Sequence, residues 1–360
     1  MLRSAPRTVM QIFAGRLFLL SGALVIGLSC DGTAVAQPAA STATPEDRRL
    51  LVYAEPGLRV DIGGRHINLT CAGANAGAPT VIFLSGLSSW APVWYKTQPE
   101  IAKRTRACAF DRAGYGFSDP APRLQILPDV VDDVHAALTA AGIQGPYVLV
   151  GHSLGGLEAR MFAQRWPNEV AGMVLVDTSP AAELLIEADI PGVDDALSLE
   201  RIIRPKLWCT LQAARGVDPS SAEYRVCVQP LPSDTPVAFR RDWPKFFTAD
   251  YHAAQVALLS SLATYRHSGA DRLQLGDMPL VVLSLDLCCL GASPEDNFWR
   301  AYRETWYALH QDLARMSTRG VHRVVEGAGH QIELDKPQAV IDAVDEVLRT
   351  PVDGSRSPAR

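Results

Sequence analysis

The sequence has no block of basic residues, no internal repeat and no cysteines and histidines at metal-ligand spacing. Each absence removes a class of function. A formal net charge of −5 without a basic cluster points away from nucleic acid. Without ligand spacing among Cys and His, no metal site is expected, and nothing in the chain asks for a cofactor. Long apolar runs are missing too. Leu17–Leu28 is a run of twelve, short of the roughly 20 residues that a membrane-spanning helix needs.

What surrounds that run has an anatomy of its own. Arg3, Arg7 and Arg16 precede it, and Ala34-Val35-Ala36 follows with small residues before Gln37. A charged start, a short apolar middle and an A-x-A end describe a secretory signal peptide over 1–36. The expectation is therefore a periplasmic or secreted protein with no stable membrane span after cleavage. The alternative, lipoprotein anchoring at Cys30, meets Gly27 where such sites resemble one another in having Leu. Removing Cys30 leaves six cysteines, an even set that suits disulfides in an exported chain. The expected pairs are Cys71–Cys108 and Cys209–Cys227, with Cys288 and Cys289 vicinal or free.

Past a polar lead-in over 37–57, apolar runs of strand length alternate with segments of helical period. Leu58–Ile62 and His66–Thr70 read as a hairpin about Gly63-Gly64. Strands follow at Thr80–Leu84, Ala107–Phe110, Tyr147–Val150, Gly172–Val176, Leu280–Leu283 and His322–Val325. Helices are expected over Val93–Lys103, Asp129–Ala141, Asn297–Met316 and Pro337–Leu348. Strands that are apolar on both faces, alternating with helices, give an α/β fold: a mostly parallel central sheet flanked by helices. The hundred-odd residues between the fourth and fifth parallel strands are too long for a loop and read as an inserted helical cap over 178–278. The core then comprises 58–177 and 279–349, and the Ser, Pro and Arg-rich tail 350–360 is expected to be disordered.

Gly151-His152-Ser153-Leu154-Gly155-Gly156 joins an apolar strand to a helix-patterned segment. In that setting G-x-S-x-G is a nucleophile elbow, a tight turn that pushes the Ser153 hydroxyl out at the edge of the sheet. A serine needs a base, an orienting acid and donors for an oxyanion. His330, in the glycine loop Gly327-Ala328-Gly329-His330 after the last strand, is the candidate base. His252, in the insertion, could touch substrate. The backbone amides of Leu154 and Leu87 are the candidate oxyanion donors. Two aspartates preserve the chain order Ser, Asp, His: Asp177, ending one strand, and Asp286, just past another.

Four segments together resemble the α/β-hydrolase superfamily, in particular its cap-bearing, esterase-like members. They are Cys108 to Pro120 with its Asp-Arg-Ala-Gly-Tyr-Gly core, Gly151 to Gly156, Met173 to Asp177, and Gly327 to His330. The resemblance covers about 58–349 and implies Ser153 as nucleophile and His330 as base. The chain departs from the pattern at Ser85, where a histidine is usual. It departs again at Ser284-Leu285-Asp286, where the aspartate comes early; Asp177 is therefore favoured as the acid over Asp286. Asp111 and Arg112 are expected to form a buried pair. The implied activity is hydrolysis of a small carboxylic ester, or a related acyl bond, through an acyl-enzyme. The alternatives are a non-catalytic binding module on the same scaffold and a cofactor-free perhydrolase-like activity. Related epoxide hydrolases and dehalogenases need an aspartate at the elbow, so Ser153 argues against both.

Overall fold

The computed structural model describes residues 45–75, 77–180, 199–231, 235–265, 272–287 and 297–350. The expected signal peptide, Cys30, His267, the Cys288–Cys289 pair and residues 351–360 lie outside the described residues.

Eight strands form one sheet: β1 Leu58–Asp61, β2 His66–Ala72, β3 Thr80–Leu84, β4 Ala107–Phe110, β5 Tyr147–His152, β6 Val170–Val176, β7 Leu280–Ser284 and β8 Gly320–Val324. Their spatial order is β1-β2-β4-β3-β5-β6-β7-β8. The β1–β2 and β2–β4 pairs are antiparallel, and every other pair is parallel. The helices are α1 Pro45–Leu51, α2 Gln98–Ile101, α3 Leu127–Ala140, α4 Leu154–Arg165, α5 Leu199–Ala214, α6 Val237–Asp242, α7 Ala249–Tyr265, α8 Asn297–Ala314, α9 Ile332–Asp335 and α10 Pro337–Arg349.

Alternation along each strand divides the core in two. Ile82, Leu84, Leu149, Met173, Leu175 and Val282 face the side covered by α3, α4 and the end of α8. Val81, Phe83, Val148, Val150, Val174 and Val281 face the side covered by α10. Full burial of each such side chain contributes about 1.5–3 kcal/mol, so the central strands are the most heavily secured part of the molecule. All the parallel strands deliver their C-terminal ends to one edge, where the loops that follow β3, β5, β6, β7 and β8 meet.

Three expectations are corrected. Residues 45–57 are not a plain lead-in: α1 and the turn after it are helical, with Leu50 and Tyr53 buried and the Tyr53 hydroxyl donating to Gln98 Oε1 at 2.6 Å. A continuous helix over Val93–Lys103 does not form. A 3-10 turn at Ala91–Trp94 is followed by a fresh start at α2. Pro99 would remove one intrahelical bond and clash with the preceding turn, but it fits the first turn of a new helix. Thirdly, Arg112 does not pair with Asp111. Its Nε and Nη2 each meet the Glu158 carboxylate at 2.8 Å, while Asp111 accepts from Asn68 Nδ2 at 2.8 Å and the Ala91 amide at 2.9 Å. Arg112 reaches across to α4 while Asp111 is held by β2 and the turn at Ala91, so each charge is met by a different partner.

Among the described residues two disulfides form, as expected. Cys71–Cys108 joins directly opposed residues of β2 and β4, and Cys209–Cys227 ties α5 to the turn after it. No helix among the described residues is long and apolar enough to cross a membrane.

Between β6 and β7 the chain carries α5, α6 and α7. Aromatic side chains dock this segment on the loop after β3. Trp90 stacks on Trp243 at 4.6 Å between ring centres, with Phe246, Phe247 and Tyr251 each within 5.8 Å of it. Ring pairs at such spacings contribute about 0.5–1.5 kcal/mol beyond burial.

Candidate active site

Ser153 follows β5 with φ 52° and ψ −121°, and Asp177 follows the adjacent β6 with φ 38°. No other non-glycine described residue has positive φ. The elbow turns this tightly because the chain after it lies against the end of β3 and the Thr178 side chain. A Cβ on Gly155 would sit 2.1 Å from the Leu84 carbonyl oxygen, and one on Gly156 would sit 2.0 Å from Thr178 Oγ1. Only glycine admits both approaches.

His330, in the loop after β8, places Nδ1 2.6 Å from Asp177 Oδ2. The second oxygen, Oδ1, accepts from the Trp306 indole at 2.9 Å and from the Leu285 amide at 3.1 Å. Asp177 is fully buried, whereas the His330 side chain is 45% exposed and so accessible from the sheet edge. Burial pushes the Asp177 carboxyl upward, but the bond and charge of His330, with His310 and Trp306, outweigh it and hold the group below the usual carboxylate range. Asp286 is differently engaged. Its carboxylate accepts from the Gly327 amide at 3.0 Å and its own amide donates to the Ala328 carbonyl at 2.8 Å. That clamps the glycine loop.

The loop Ser85–Ser89 is held by its carbonyls. Arg112 donates to Ser85 and Gly86 at 2.5 and 2.9 Å, and the Tyr115 hydroxyl donates to Leu87 at 2.8 Å. The Tyr251 hydroxyl and Gln229 donate to Ser88 at 2.8 and 2.7 Å. The loop passes close to the elbow: a Cβ on Gly86 would lie 3.4 Å from Ser153 Cβ. The Leu154 amide, first in α4, has no intrahelical acceptor.

Sequence reasoning missed the support beneath Asp177. His310 Nε2 donates to the Thr178 carbonyl at 2.8 Å, which leaves its Nδ1 to accept from Ser284 Oγ at 2.5 Å; Ser284 Oγ in turn accepts from His322 Nε2 at 2.7 Å. Burial pushes His310 down to about 4, so this chain is neutral. The available signal was the four-residue spacing of Tyr302, Trp306 and His310, which puts the three on one face of α8.

His66, His135 and His252 lie away from this cluster. His66 meets Asp119, and His135 stacks on Trp166. His252 is buried against Tyr224 and Tyr251 in the inserted segment. It lies close to Cys209 and Cys227, but both sulfurs are spent in the disulfide and offer no thiolate to a metal.

Comparison with known proteins matches residues 79–207 to the family described as "alpha/beta hydrolase fold". An uncharacterized Bacillus subtilis protein, YbdG, is 31% identical over 140 residues, or 38% of this chain and 42% of that protein. The 2-(acetamidomethylene)succinate hydrolase of Mesorhizobium japonicum is 31% identical over 125 residues, 35% of this chain and 44% of the enzyme. The matches thus span less than half the length of these relatives. Among solved structures, the epoxide hydrolase CorEH superposes with a TM-score of 0.59 at 18% identity, covering 81% of this chain and 97% of that one. With its eight-stranded, mostly parallel sheet and flanking helices, the chain has the α/β-hydrolase fold.

Proposed function

We propose that the protein is an exported serine hydrolase that cleaves carboxylic esters or related acyl bonds of small molecules. The observation that carries this is the 2.6 Å contact between His330 Nδ1 and Asp177, at the same sheet edge as the strained turn bearing Ser153. Asp177 accepts a hydrogen bond from Nδ1–H and fixes the tautomer that leaves Nε2 with a lone pair for the Ser153 hydroxyl. Ser153 Oγ then attacks the acyl carbon as its proton passes to His330. The Leu87 and Leu154 amides donate to the oxyanion, and His330 returns the proton to the leaving alcohol. Water repeats the sequence on the acyl-enzyme and regenerates the serine.

The elbow residue is a serine, which favours an acyl-enzyme over the aspartate chemistry of epoxide hydrolases. The aromatic docking of α5–α7 on the loop after β3 supports the role of residues 178–278 as a cap over the substrate. Two disulfides support an oxidising compartment outside the cytoplasm.

Ser153→Ala is expected to lower turnover of p-nitrophenyl esters on the order of 10⁶-fold with little change in binding. A fluorophosphonate is expected to label the native protein at Ser153. Normal ester turnover by the alanine variant would refute the assignment, and a native protein that takes no label would favour the binding-module reading.

A further inference from the structure

The buried carboxyl of Glu333 has no part in the chemistry above. It lies in α9, three residues after His330, and is fully buried. Neither of its oxygens has an aligned hydrogen-bond partner, and the same holds for Nδ1 of His152. These unsatisfied groups face each other, with Oε1 3.2 Å from Nδ1. His152 immediately precedes Ser153. Its Nε2 lies 2.9 Å from the backbone oxygen of His330, and the two rings are 4.6 Å apart. One imidazole therefore touches the elbow, the base loop and α9.

A proton count restricts how these groups combine. A carbonyl can only accept, so the His152 proton sits on Nε2, and a neutral ring offers a lone pair at Nδ1. A carboxylate opposite would set acceptor against acceptor, whereas a carboxylic acid would donate and satisfy both. Burial pushes His152 down to about 3 and Glu333 up to about 8, which disfavours the ionised pair. The groups facing Glu333 are His152, His330, Asp335, Asp177 and its own amide; His330 and that amide favour its ionisation, and the two aspartates oppose it. His330 and Arg112 oppose a charge on His152, and Asp177 favours one.

We propose that Glu333, as the protonated acid, is a positioning residue for His330 acting through His152. Its O–H donates to His152 Nδ1, and His152 Nε2–H donates to the His330 carbonyl. The catalytic consequence rests on the serine-hydrolase reading; the protonation itself does not.

The test has two readouts. With p-nitrophenyl acetate, wild-type kcat is expected to fall above pH about 8, approaching tenfold per unit as the clamp ionises. Glu333→Ala lowers kcat below about pH 8, where the wild-type acid is protonated, with little effect on KM. Glu333→Gln, whose amide N–H still donates to Nδ1 but does not titrate, recovers activity relative to alanine and lacks that fall. A wild type without an alkaline fall, which needs no variant to observe, or a fall shared by wild type and the glutamine variant, would overturn the proposal.

The second readout is urea unfolding against pH. A folded-state value raised from 4.5 to about 8 means that the native state holds a proton the unfolded chain has lost. This stabilisation is complete below about pH 4.5 and is lost as pH rises through about 8. Relative to the glutamine variant, the wild-type folding constant should fall by up to tenfold per pH unit across that window and then level off. A flat ratio sinks the proposal even if the protein hydrolyses no ester. An active Ser153→Ala protein would sink the hydrolase reading and leave the unfolding result standing.

Discussion

Replacing Asp177 by asparagine tests the proposed chemistry most sharply, because the structure fixes how the amide must lie. Oδ1 accepts from two donors, Trp306 Nε1 at 2.9 Å and the Leu285 amide at 3.1 Å. An asparagine keeps those bonds only by leaving its oxygen there, which turns its NH₂ toward His330 Nδ1. That nitrogen must then accept, the ring proton moves to Nε2, and the atom meant to take the serine proton already carries one. Where this tautomer error has been isolated in a serine hydrolase of another fold, the cost is about 10⁴-fold in kcat, or about 5 kcal/mol of barrier. Asparagine also tolerates positive φ, so the 38° turn itself should survive. Asp286→Asn removes one charged contact to a loop amide and is expected to cost about tenfold at most. The assay is steady-state hydrolysis of p-nitrophenyl butyrate, with circular dichroism to show that both variants fold. Near-normal activity in Asp177→Asn, or a larger loss in Asp286→Asn, would refute the reasoning and move the acid to the other strand end.

Gly155→Ala places a methyl 2.1 Å from the Leu84 carbonyl oxygen and 2.7 Å from that of Ser85. The elbow and the oxyanion loop must separate at a cost of about 1–3 kcal/mol or more, so both the melting temperature and the rate of fluorophosphonate labelling should drop; an unchanged melting temperature would show that the approach is not real. Glu158→Gln leaves the Arg112 guanidinium buried without its counter-charge, a loss of about 3–5 kcal/mol measurable by urea titration. A change below about 1 kcal/mol would mean that water reaches the pair.

The elbow was legible because it is local: strand, glycine turn and helix follow one another within a few residues. The sheet was legible for a related reason, since strands apolar on both faces admit few placements. Choosing between Asp177 and Asp286 was harder, because both follow a strand end and both precede His330 in the chain. What separates them is the Trp306 indole and the Leu285 amide, brought to Asp177 from 129 and 108 residues away. The same distance problem hid the partner of Arg112. Glu158 lies inside α4, on a helix whose charges would ordinarily face water, and only the fold brings it to a guanidinium 46 positions earlier. Glu333 was invisible for the opposite reason: a carboxyl in a short stretch with two other charged residues reads as solvated until the fold buries it.

Ser153 and Asp177 also show how the fold maintains a conformation that neither residue favours. A non-glycine residue at positive φ costs of order 1–3 kcal/mol and persists only when its surroundings over-determine it. Here each turn supplies the other's constraints. The Ser153 amide donates to the Val176 carbonyl at 3.0 Å, just before Asp177, and the Ser153 carbonyl accepts from the Ser179 amide at 3.0 Å and from Thr178 Oγ1 at 3.2 Å, just after it. Arg160, buried in α4, grips Thr178 Oγ1 and the Ser179 carbonyl, both at 2.8 Å. Relaxing Ser153 would therefore break bonds made by the acid turn, and relaxing Asp177 would break bonds made by the elbow. The two proposed catalytic residues are strained together and released together, which is why parallel strands that end side by side serve this chemistry better than two independent loops would.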